Sequence, residues 1–244
     1  VFSKKGEVIA LAQQEFAQIY PQPGEVEHDP EVIWATVIGT ARKALKEARA
    51  KGWKTACLGI TNQRETAIIW DRKTGDPIHN AIVWQDRRTA KTCQQLAADG
   101  HEGVIREKTG LVLDPYFSAT KFAWILDAVD GARERAARDE LAFGTVDSFL
   151  LWRLTGGASH KTDASNASRT SLFDLKAGRW DDGLCELFNV PVSGLPEVCD
   201  NAADFGTSLT AAIGEALPVT GMAGDQQAAA IGQACFKPGE VKST

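Results

Sequence analysis

Hydrophobic residues recur at two different spacings along this chain, and the alternation between them predicts a fold that mixes helices and strands. Residues 30–50 carry apolar side chains three and four positions apart, which is the spacing of one helix face. Asp29 is placed to cap that helix, Pro30 suits its first turn, and Gly52 is expected to end it. The apolar positions of this helix are Val32, Ile33, Val37, Ile38, Ala41, Leu45 and Ala48.

Short apolar runs bounded by turn residues predict strands. Residues 66–70 and 81–84 lie on either side of a turn at 74–77, so they predict a hairpin. Residues 218–227 predict a strand, a tight turn and the start of a helix. The remaining predictions are strands within 2–10 and at 56–58 and 142–146, and helices at 87–98, 118–129, 132–141 and 148–154. This mixture is typical of an α/β domain.

A polar cluster, Asn62, Gln63, Arg64 and Glu65, follows the apolar run that ends at Leu58. An edge strand alternates apolar and polar residues, whereas this one ends in an unbroken polar run with a charge of each sign. The cluster has the hydrogen-bonding groups to bind a small polar ligand. It has, equally, the composition of a salt-bridged surface turn.

Composition and charge narrow the class of protein. The 244 residues are 43% hydrophobic, which is enough for a packed core in one large domain or two small ones. The 32 acidic and 27 basic residues give a formal charge of −5 without a basic block, so we expect no nucleic-acid partner. No apolar run approaches the roughly 20 residues that cross a bilayer, and the N-terminus lacks the layout of a signal peptide. We therefore expect no membrane span and a cytoplasmic location.

Cysteine and histidine are scattered, which argues against a disulfide framework and against a metal site. The five cysteines include no C-x-x-C pair, and the four histidines have no second ligand type at metal spacing. We therefore expect reduced thiols and no metal ligands. The sequence also contains no P-loop, G-x-G-x-x-G, G-x-S-x-G or H-E-x-x-H motif, which removes the common nucleotide-binding, hydrolase and metalloprotease classes.

Asp225 stands at the predicted junction of a strand and a helix, within Gly224-Asp225-Gln226-Gln227. The free N–H groups and the positive end of a helix favour negative charge at such a place. The carboxylate suits a general base or an anion contact, and it also suits a simple cap of the helix. The two roles can coexist.

Two aromatic residues adjoin polar side chains and are candidates to line a ligand site. Trp84 ends a predicted strand beside charged residues, where an indole packs well against the carbon face of a polyol or simply belongs to the core. Tyr116 either presents its hydroxyl to a ligand or fills the space before a helix capped by Ser118. Residues 162–170 are rich in short polar side chains, which predicts an ordered structural turn with a scaffolding role.

Taken in order, these segments resemble the glycerol kinases of the FGGY family of carbohydrate kinases. The resemblance rests on the polar cluster, Trp84 and residues 114–121, 163–168 and 224–227, and it runs from end to end of the chain. The spacing Tyr116-x-Ser118-x-x-Lys121-x-x-Trp124 is similar to a signature of that family. The Asn-Gln-Arg-Glu cluster is similar to the one that separates its glycerol kinases from its pentulose and gluconate kinases.

The resemblance implies a ribonuclease-H-like, actin-like ATPase fold of the α/β class, with a mixed sheet flanked by helices. Residues 1–240 would form the glycerol-binding N-terminal domain, and residues 241–244 would begin the connection to an ATP-binding domain. The implied reaction transfers phosphate from ATP, with Mg²⁺, to glycerol and gives sn-glycerol 3-phosphate. In it, Arg64 and Glu65 hold glycerol hydroxyls, Trp84 packs on the carbons, Tyr116 adds a hydroxyl contact, and Asp225 takes the proton of the attacking hydroxyl with Gln226 beside it.

The sequence also departs from the family pattern. The opening strand with its Asp-x-Gly-Thr-Thr-Ser phosphate turn and the second domain have no counterpart in these residues. We therefore expect ATP and Mg²⁺ to be bound mainly by segments outside this chain, no cofactor-binding residues within it, and no catalysis by it alone. Residues 211–218 lack the glycines and arginine with which some bacterial members bind fructose 1,6-bisphosphate, so we expect no such regulation. The sequence leaves a homo-oligomer open.

Two other interpretations stay open at this point. One is another FGGY sugar or polyol kinase with a longer acceptor, which would be expected to carry smaller or amide side chains in place of Arg64 and Glu65. The other is a non-catalytic polyol-binding module, in which Asp225 only caps a helix and Arg64 and Glu65 form a surface ion pair.

Overall fold

The computed structural model describes residues 1–243 and confirms the α/β class. Thr244, the last residue of the predicted connection 241–244, lies outside the described residues. The helices are α1 (Pro30–Ala50), α2 (Ala90–Ala98), α3 (Glu102–Thr109), α4 (Ser118–Ala128), α5 (Ala132–Ala137), α6 (Val146–Thr155), α7 (Ala164–Ala167), α8 (Asp182–Leu187), α9 (Thr210–Ile213) and α10 (Asp225–Gly232). The strands are β1 (Glu27–His28), β2 (Leu58–Asn62), β3 (Ile68–Asp71), β4 (Ala81–Ile82), β5 (Leu141–Gly144), β6 (Lys161–Asp163), β7 (Phe173–Asp174), β8 (Arg179–Trp180), β9 (Glu197–Cys199) and β10 (Val219–Gly224).

Helix α1 forms as the sequence predicts, because both of its ends are stopped by suitable residues. The Asp29 side chain accepts a hydrogen bond from the backbone N–H of Glu31 at 2.8 Å, and Pro30 occupies the first turn. The helix ends at Ala50, two residues before Gly52, which has a left-handed φ of 80°. Its buried face packs against side chains of α6 and α9.

The strands pair two by two. Strands β2 and β10 run parallel, with Asn62 opposite Gly224, and this pair carries the candidate site at its end. Strands β3 and β5 run antiparallel, and the isolated bridges Ala67–Ile82 and Trp70–Pro77 complete the predicted hairpin. None of the helices within residues 1–243 is long and apolar enough to cross a membrane.

The antiparallel pair β3–β5 separates two hydrophobic cores. Successive side chains of a strand point to opposite faces. Ile69 and Phe143 therefore face one core, which includes apolar residues of α4, whereas Ile68, Trp70 and Ala142 face the other, which includes residues of α1 and α6. Because both faces are covered, this pair is the buried centre on which the surrounding helices pack.

The structure corrects several predicted boundaries. Residues 2–8 form a single isolated bridge instead of two strands. Strand β2 extends through Asn62, so the polar cluster begins within the strand and not after it. Helix α5 ends at Ala137, shortly before Asp139 adopts a left-handed φ of 56°. Helix α3 was not predicted, because it buries only Ile105 and Thr109 and so carries almost no apolar periodicity.

His160 makes the stability of this fold sensitive to acid. Its ring lies 5.3 Å from that of Trp70 and 5.5 Å from that of Trp152, and Nε2 donates a hydrogen bond to the Phe143 carbonyl at 2.9 Å. Burial lowers the pKa of His160 to about 4 from the ordinary 6.5. Between these two values the unfolded chain binds a proton that the folded chain does not. The free energy of unfolding should therefore lose about 3 kcal/mol through this residue as the pH falls from 6.5 to 4.

Urea unfolding of the chain and of a His160→Gln variant at several values of pH between 7 and 4 tests this expectation. Subtracting the free energy of unfolding of the variant from that of the parent chain at each pH removes the contributions of all other titrating groups. A His101→Gln variant, at the partly exposed start of α3, is the control and should keep the acid slope of the parent chain. If the free energy of unfolding fell equally steeply with pH in the parent chain and in the His160→Gln variant, burial of this ring would not govern the acid response.

Candidate functional site

The parallel register of β2 and β10 brings the polar cluster and Asp225 to one edge of the sheet. Asn62 is paired with Gly224, so the residues that follow the two strands leave the sheet side by side. Arg64 Nε lies 3.1 Å from Asp225 Oδ1, an ion pair without the geometry of a directed hydrogen bond. The Arg64 side chain is 12% exposed and that of Asp225 is 49% exposed, so the arginine is fixed while the carboxylate faces solvent.

Gly224 permits the Arg64 side chain to come close to Asp225. A Cβ atom at this position would lie 2.4 Å from Cδ and 2.7 Å from Cγ of Arg64, both shorter than any ordinary contact. Arg64 therefore passes directly over the backbone of Gly224 on its way to Asp225. Beyond that contact, Arg64 Nη1 lies 3.5 Å from Gln227 Oε1.

Asp225 is the first residue of α10, and Gly224, not Asp225, occupies the N-cap position. The Asp225 Oδ1 atom accepts a hydrogen bond from the backbone N–H of Gln226 at 2.8 Å. The carboxylate thus lies in the first turn, where the helix dipole favours negative charge. The side chain of Gln226, predicted to lie beside Asp225, accepts a hydrogen bond from Lys242 Nζ.

Glu65 is buried and does not form the surface ion pair with Arg64 that one interpretation required. Its side chain is 2% exposed, and its Oε1 accepts a hydrogen bond from Arg169 Nε at 2.6 Å. Burial raises the pKa of Glu65, and the neighbouring Arg169 opposes that rise. The backbone of Glu65 has a φ of 62°, which costs a residue other than glycine roughly 1 kcal/mol or more. Such a conformation persists only where neighbouring contacts fix it.

Trp84 and Tyr116 lie side by side next to the ion pair of Glu65 and Arg169. Their ring centroids are 5.5 Å apart, and the Arg169 guanidinium lies 5.7 Å from the Tyr116 ring and 4.9 Å from the Phe117 ring. Both Trp84 and Tyr116 are partly exposed, so neither is a plain core residue. Burial raises the pKa of Tyr116, and the Glu65 carboxylate adds to that rise. The predicted residues thus form two adjoining groups, one built on Arg64 and Asp225 and the other on Glu65, Tyr116 and Trp84.

Residues 162–170 were predicted as a structural turn. They form most of β6, the helix α7 and part of a polar network next to the site. Asp163 Oδ2 accepts hydrogen bonds from Ser165 N at 2.7 Å and from Asn201 Nδ2 at 2.8 Å. Ser165 Oγ in turn accepts the N–H of Gly224 at 2.9 Å, and Asn201 Nδ2 donates to the Met222 carbonyl at 2.9 Å. The network therefore fixes the backbone of β10 immediately before Asp225.

The same network holds the end of β2. Asn62 Nδ2 donates to Asn166 Oδ1 at 3.0 Å and to Asp147 Oδ1 at 3.1 Å, while Thr162 Oγ1 donates to Asp147 Oδ2 at 2.7 Å. Burial raises the pKa of Asp147 to about 6. Because these groups are buried and hydrogen-bonded to one another, they fix a single arrangement of the two strand ends.

Ser118 does not cap α4, contrary to the sequence prediction. Phe117 occupies the N-cap position without a side-chain hydrogen bond, and Ser118 Oγ donates to the Glu65 carbonyl at 3.1 Å. Arg169, which holds Glu65, was not predicted as a site residue. The one signal for it in the sequence was a long cation at the end of a run of short polar side chains.

A cleft of about 310 Å³ lies elsewhere, beside α8, and contains none of these residues. Its lining is Asp182, Cys185, Glu186, Asn189, Val190, Pro191 and Val192. The charged and aromatic groups that could act together on a small polyol converge at the ends of β2 and β10. We therefore take that edge of the sheet as the candidate site, although it is an open surface.

Comparison with known proteins shows the family to which the chain belongs. The profile of the FGGY family of carbohydrate kinases, N-terminal domain, matches residues 1–232. The glycerol kinases of Roseobacter denitrificans and Rhodospirillum centenum are 57% and 60% identical to the chain over all 244 residues. The chain spans about half the length of these curated relatives, 49% of each.

Solved structures share the fold. The structure of Plasmodium falciparum glycerol kinase with ADP is 37% identical, with a TM-score of 0.88 over 93% of this chain and 46% of that one. A xylulose kinase from Rhodospirillum rubrum is 22% identical, with a TM-score of 0.81 over 91% of this chain and 45% of that one, which bears on the fold alone. The ribonuclease-H-like, actin-like ATPase fold implied by the sequence is thereby confirmed. With its fold, its matched profile and its relatives in agreement, the chain belongs to the FGGY family of carbohydrate kinases.

Proposed function

We propose that this chain is the glycerol-binding part of an ATP-dependent glycerol kinase, which makes sn-glycerol 3-phosphate from glycerol and ATP. The observation that carries the proposal is the convergence of the largely buried Arg64, the buried Glu65 and the half-exposed Asp225 at the ends of β2 and β10. The relatives named glycerol kinase, at 57% and 60% identity, support the choice of acceptor.

In this proposal Asp225 acts as the general base. Phosphoryl transfer depends mainly on positioning the nucleophile and on stabilising charge, with a carboxylate to orient the hydroxyl and take its proton. The Asp225 carboxylate is oriented by Arg64 Nε at 3.1 Å and by the N–H of Gln226 at 2.8 Å. Its 49% exposure leaves it accessible to a hydroxyl group that arrives from solvent.

The remaining residues of the site bind the acceptor. Arg64 and Glu65 hydrogen-bond its hydroxyls, Tyr116 adds a further hydroxyl contact, and Trp84 packs against its carbons. Arg169 holds the buried Glu65 side chain, so Glu65 cannot swing aside for a longer acceptor. This rigidity favours a three-carbon polyol over a pentulose or a sugar acid.

ATP is bound, in this proposal, mainly by segments outside the glycerol-binding domain of residues 1–240, and the complete protein is cytoplasmic. Within residues 1–243 no group of three or more His, Cys, Asp or Glu side chains is arranged to hold a metal ion. In this proposal Mg²⁺ accompanies the ATP and is held mainly by the same outside segments.

Replacing the proposed base tests the function. The test uses a fusion chain in which residues 1–244 replace the matched half of the Roseobacter denitrificans relative, and glycerol-dependent ADP release is measured. Asp225→Asn keeps the size of the side chain but cannot take a proton, so kcat should fall by roughly a hundredfold to ten-thousandfold. The free energy of unfolding should change by less than about 0.5 kcal/mol, because the side chain is half exposed.

The control for this variant is Asp127→Asn, an acid-to-amide change on the surface of α4, where the side chain is 67% exposed. It should leave kcat unchanged. Full activity of Asp225→Asn would contradict the role of general base and would leave Asp225 with a structural role in the first turn of α10.

Gly224→Ala tests the placement of Arg64 in the same fusion chain. The added methyl group would displace the Arg64 side chain, because it would overlap Cγ and Cδ. We expect the KM for glycerol to rise at least about tenfold and kcat to fall with it, since displacement of a binding group by 1 Å has large effects on rate.

Gly232→Ala, at the other end of α10, is the matched control, because a Cβ there meets nothing within 4 Å. It should leave both kinetic constants unchanged. Identical behaviour of the two alanine variants would show that the contact between Arg64 and Gly224 is irrelevant to the acceptor.

A further inference from the structure

Lys121 is a completely buried lysine whose ammonium group meets three backbone carbonyls. Its side chain is 0% exposed, and its Nζ donates to the carbonyls of Glu65 at 3.3 Å, of Phe117 at 3.3 Å and, at shorter range, of Tyr116. A lysine ammonium has three N–H donors. Each donor therefore has one acceptor, which accounts for the presence of a lysine in an interior position where a charge is costly.

Backbone carbonyls, and not a carboxylate, hold this group. Among the ion pairs within residues 1–243, none includes Lys121. The acids Glu65, Asp86 and Asp114 lie farther off and favour its charged form, whereas burial lowers the pKa of Lys121 to about 7. The geometry of the three carbonyls, together with these acids, thus sets the position of the ammonium.

The three carbonyls belong to the two segments that supply acceptor-binding side chains. One belongs to Glu65, whose left-handed φ of 62° needs contacts that fix it. The other two belong to Tyr116 and Phe117, at the turn before α4. The two segments lie about fifty residues apart in the sequence and meet at this one nitrogen atom.

We propose that Lys121 is a positioning residue for the acceptor site. Its ammonium group hydrogen-bonds to the backbones of Glu65 and Tyr116 and holds them together, so that their side chains face the same polyol. The inference rests on the proposed function, because it concerns the affinity of that site for glycerol. The hydrogen bonds of Lys121 go to Glu65, Tyr116 and Phe117 and not to Asp225 or β10, so its effect falls on acceptor binding and not on the proton transfer.

Lys121→Met in the fusion chain tests the inference, since methionine fills a similar volume without donors. The KM for glycerol should rise by roughly tenfold to a hundredfold, whereas the KM for ATP and kcat should stay within about threefold. Lys108→Met is the control, because its ammonium pairs with Asp181 on the surface away from the site. It should leave the glycerol KM unchanged.

Ser118→Ala gives a milder second test in case the buried methionine prevents folding. It removes the hydrogen bond from Ser118 Oγ to the Glu65 carbonyl without changing any charge. The glycerol KM should rise several-fold. Its matched control is Ser148→Ala, which removes a buried hydroxyl that donates to the Lys161 carbonyl at 3.0 Å and contacts no acceptor-binding residue.

The outcomes separate this inference from the function on which it rests. A fusion chain without substitutions that phosphorylates no glycerol overturns the proposed function and the inference together. A fusion chain that is active, but whose glycerol KM stays within twofold in the Lys121→Met and Ser118→Ala variants, overturns the positioning role alone. A parallel rise in the KM for ATP, or an equal rise in the glycerol KM of the Ser148→Ala control, would reveal a general loss of structure. Either result also overturns the positioning role.

Discussion

The parallel pairing of β2 with β10 is the constraint on which the candidate site depends. With Asn62 opposite Gly224, the polar cluster and the first turn of α10 leave the same edge of the sheet. Arg64 then crosses the one position where no Cβ obstructs it and reaches Asp225. A shift of register by one residue would turn the side chains to the opposite faces and separate these groups. The buried network around Asp147 and Asp163 opposes such a shift, because its hydrogen bonds hold both strand ends.

The charges at this edge are arranged as two adjoining ion pairs with different exposure. The buried Glu65 pairs with the partly exposed Arg169, which fixes the carboxylate, and Lys121 and Ser118 donate hydrogen bonds to the Glu65 carbonyl. Asp225 is half exposed and is oriented by Arg64 without being covered. A site that must select a small acceptor and also remove a proton from it needs both properties. In the proposed function, the rigid groups set the selectivity, while the accessible Asp225 takes the proton.

The sequence predicted the elements that local signals determine. Helix α1 with its Asp29 cap and the junction of β10 and α10 could be named from motifs and spacing, whereas the six proposed site residues were named through the family resemblance. The sequence could not predict which distant groups pair. Ser118 looked like a helix cap, yet its hydroxyl donates to the Glu65 carbonyl, because a tertiary acceptor is available. Arg169 looked like part of a structural turn, since its partner Glu65 lies 104 residues away.

The most direct test of this account is a comparison of acceptors. ADP release from ATP by the fusion chain would be measured with glycerol, with xylulose and with gluconate, and kcat/KM would be compared. The account predicts that glycerol exceeds the other two by at least about a hundredfold, because Arg169 holds the Glu65 carboxylate in one position, which the proposed function assigns to the hydroxyls of a three-carbon polyol. A value for xylulose or gluconate equal to or above that for glycerol would contradict it.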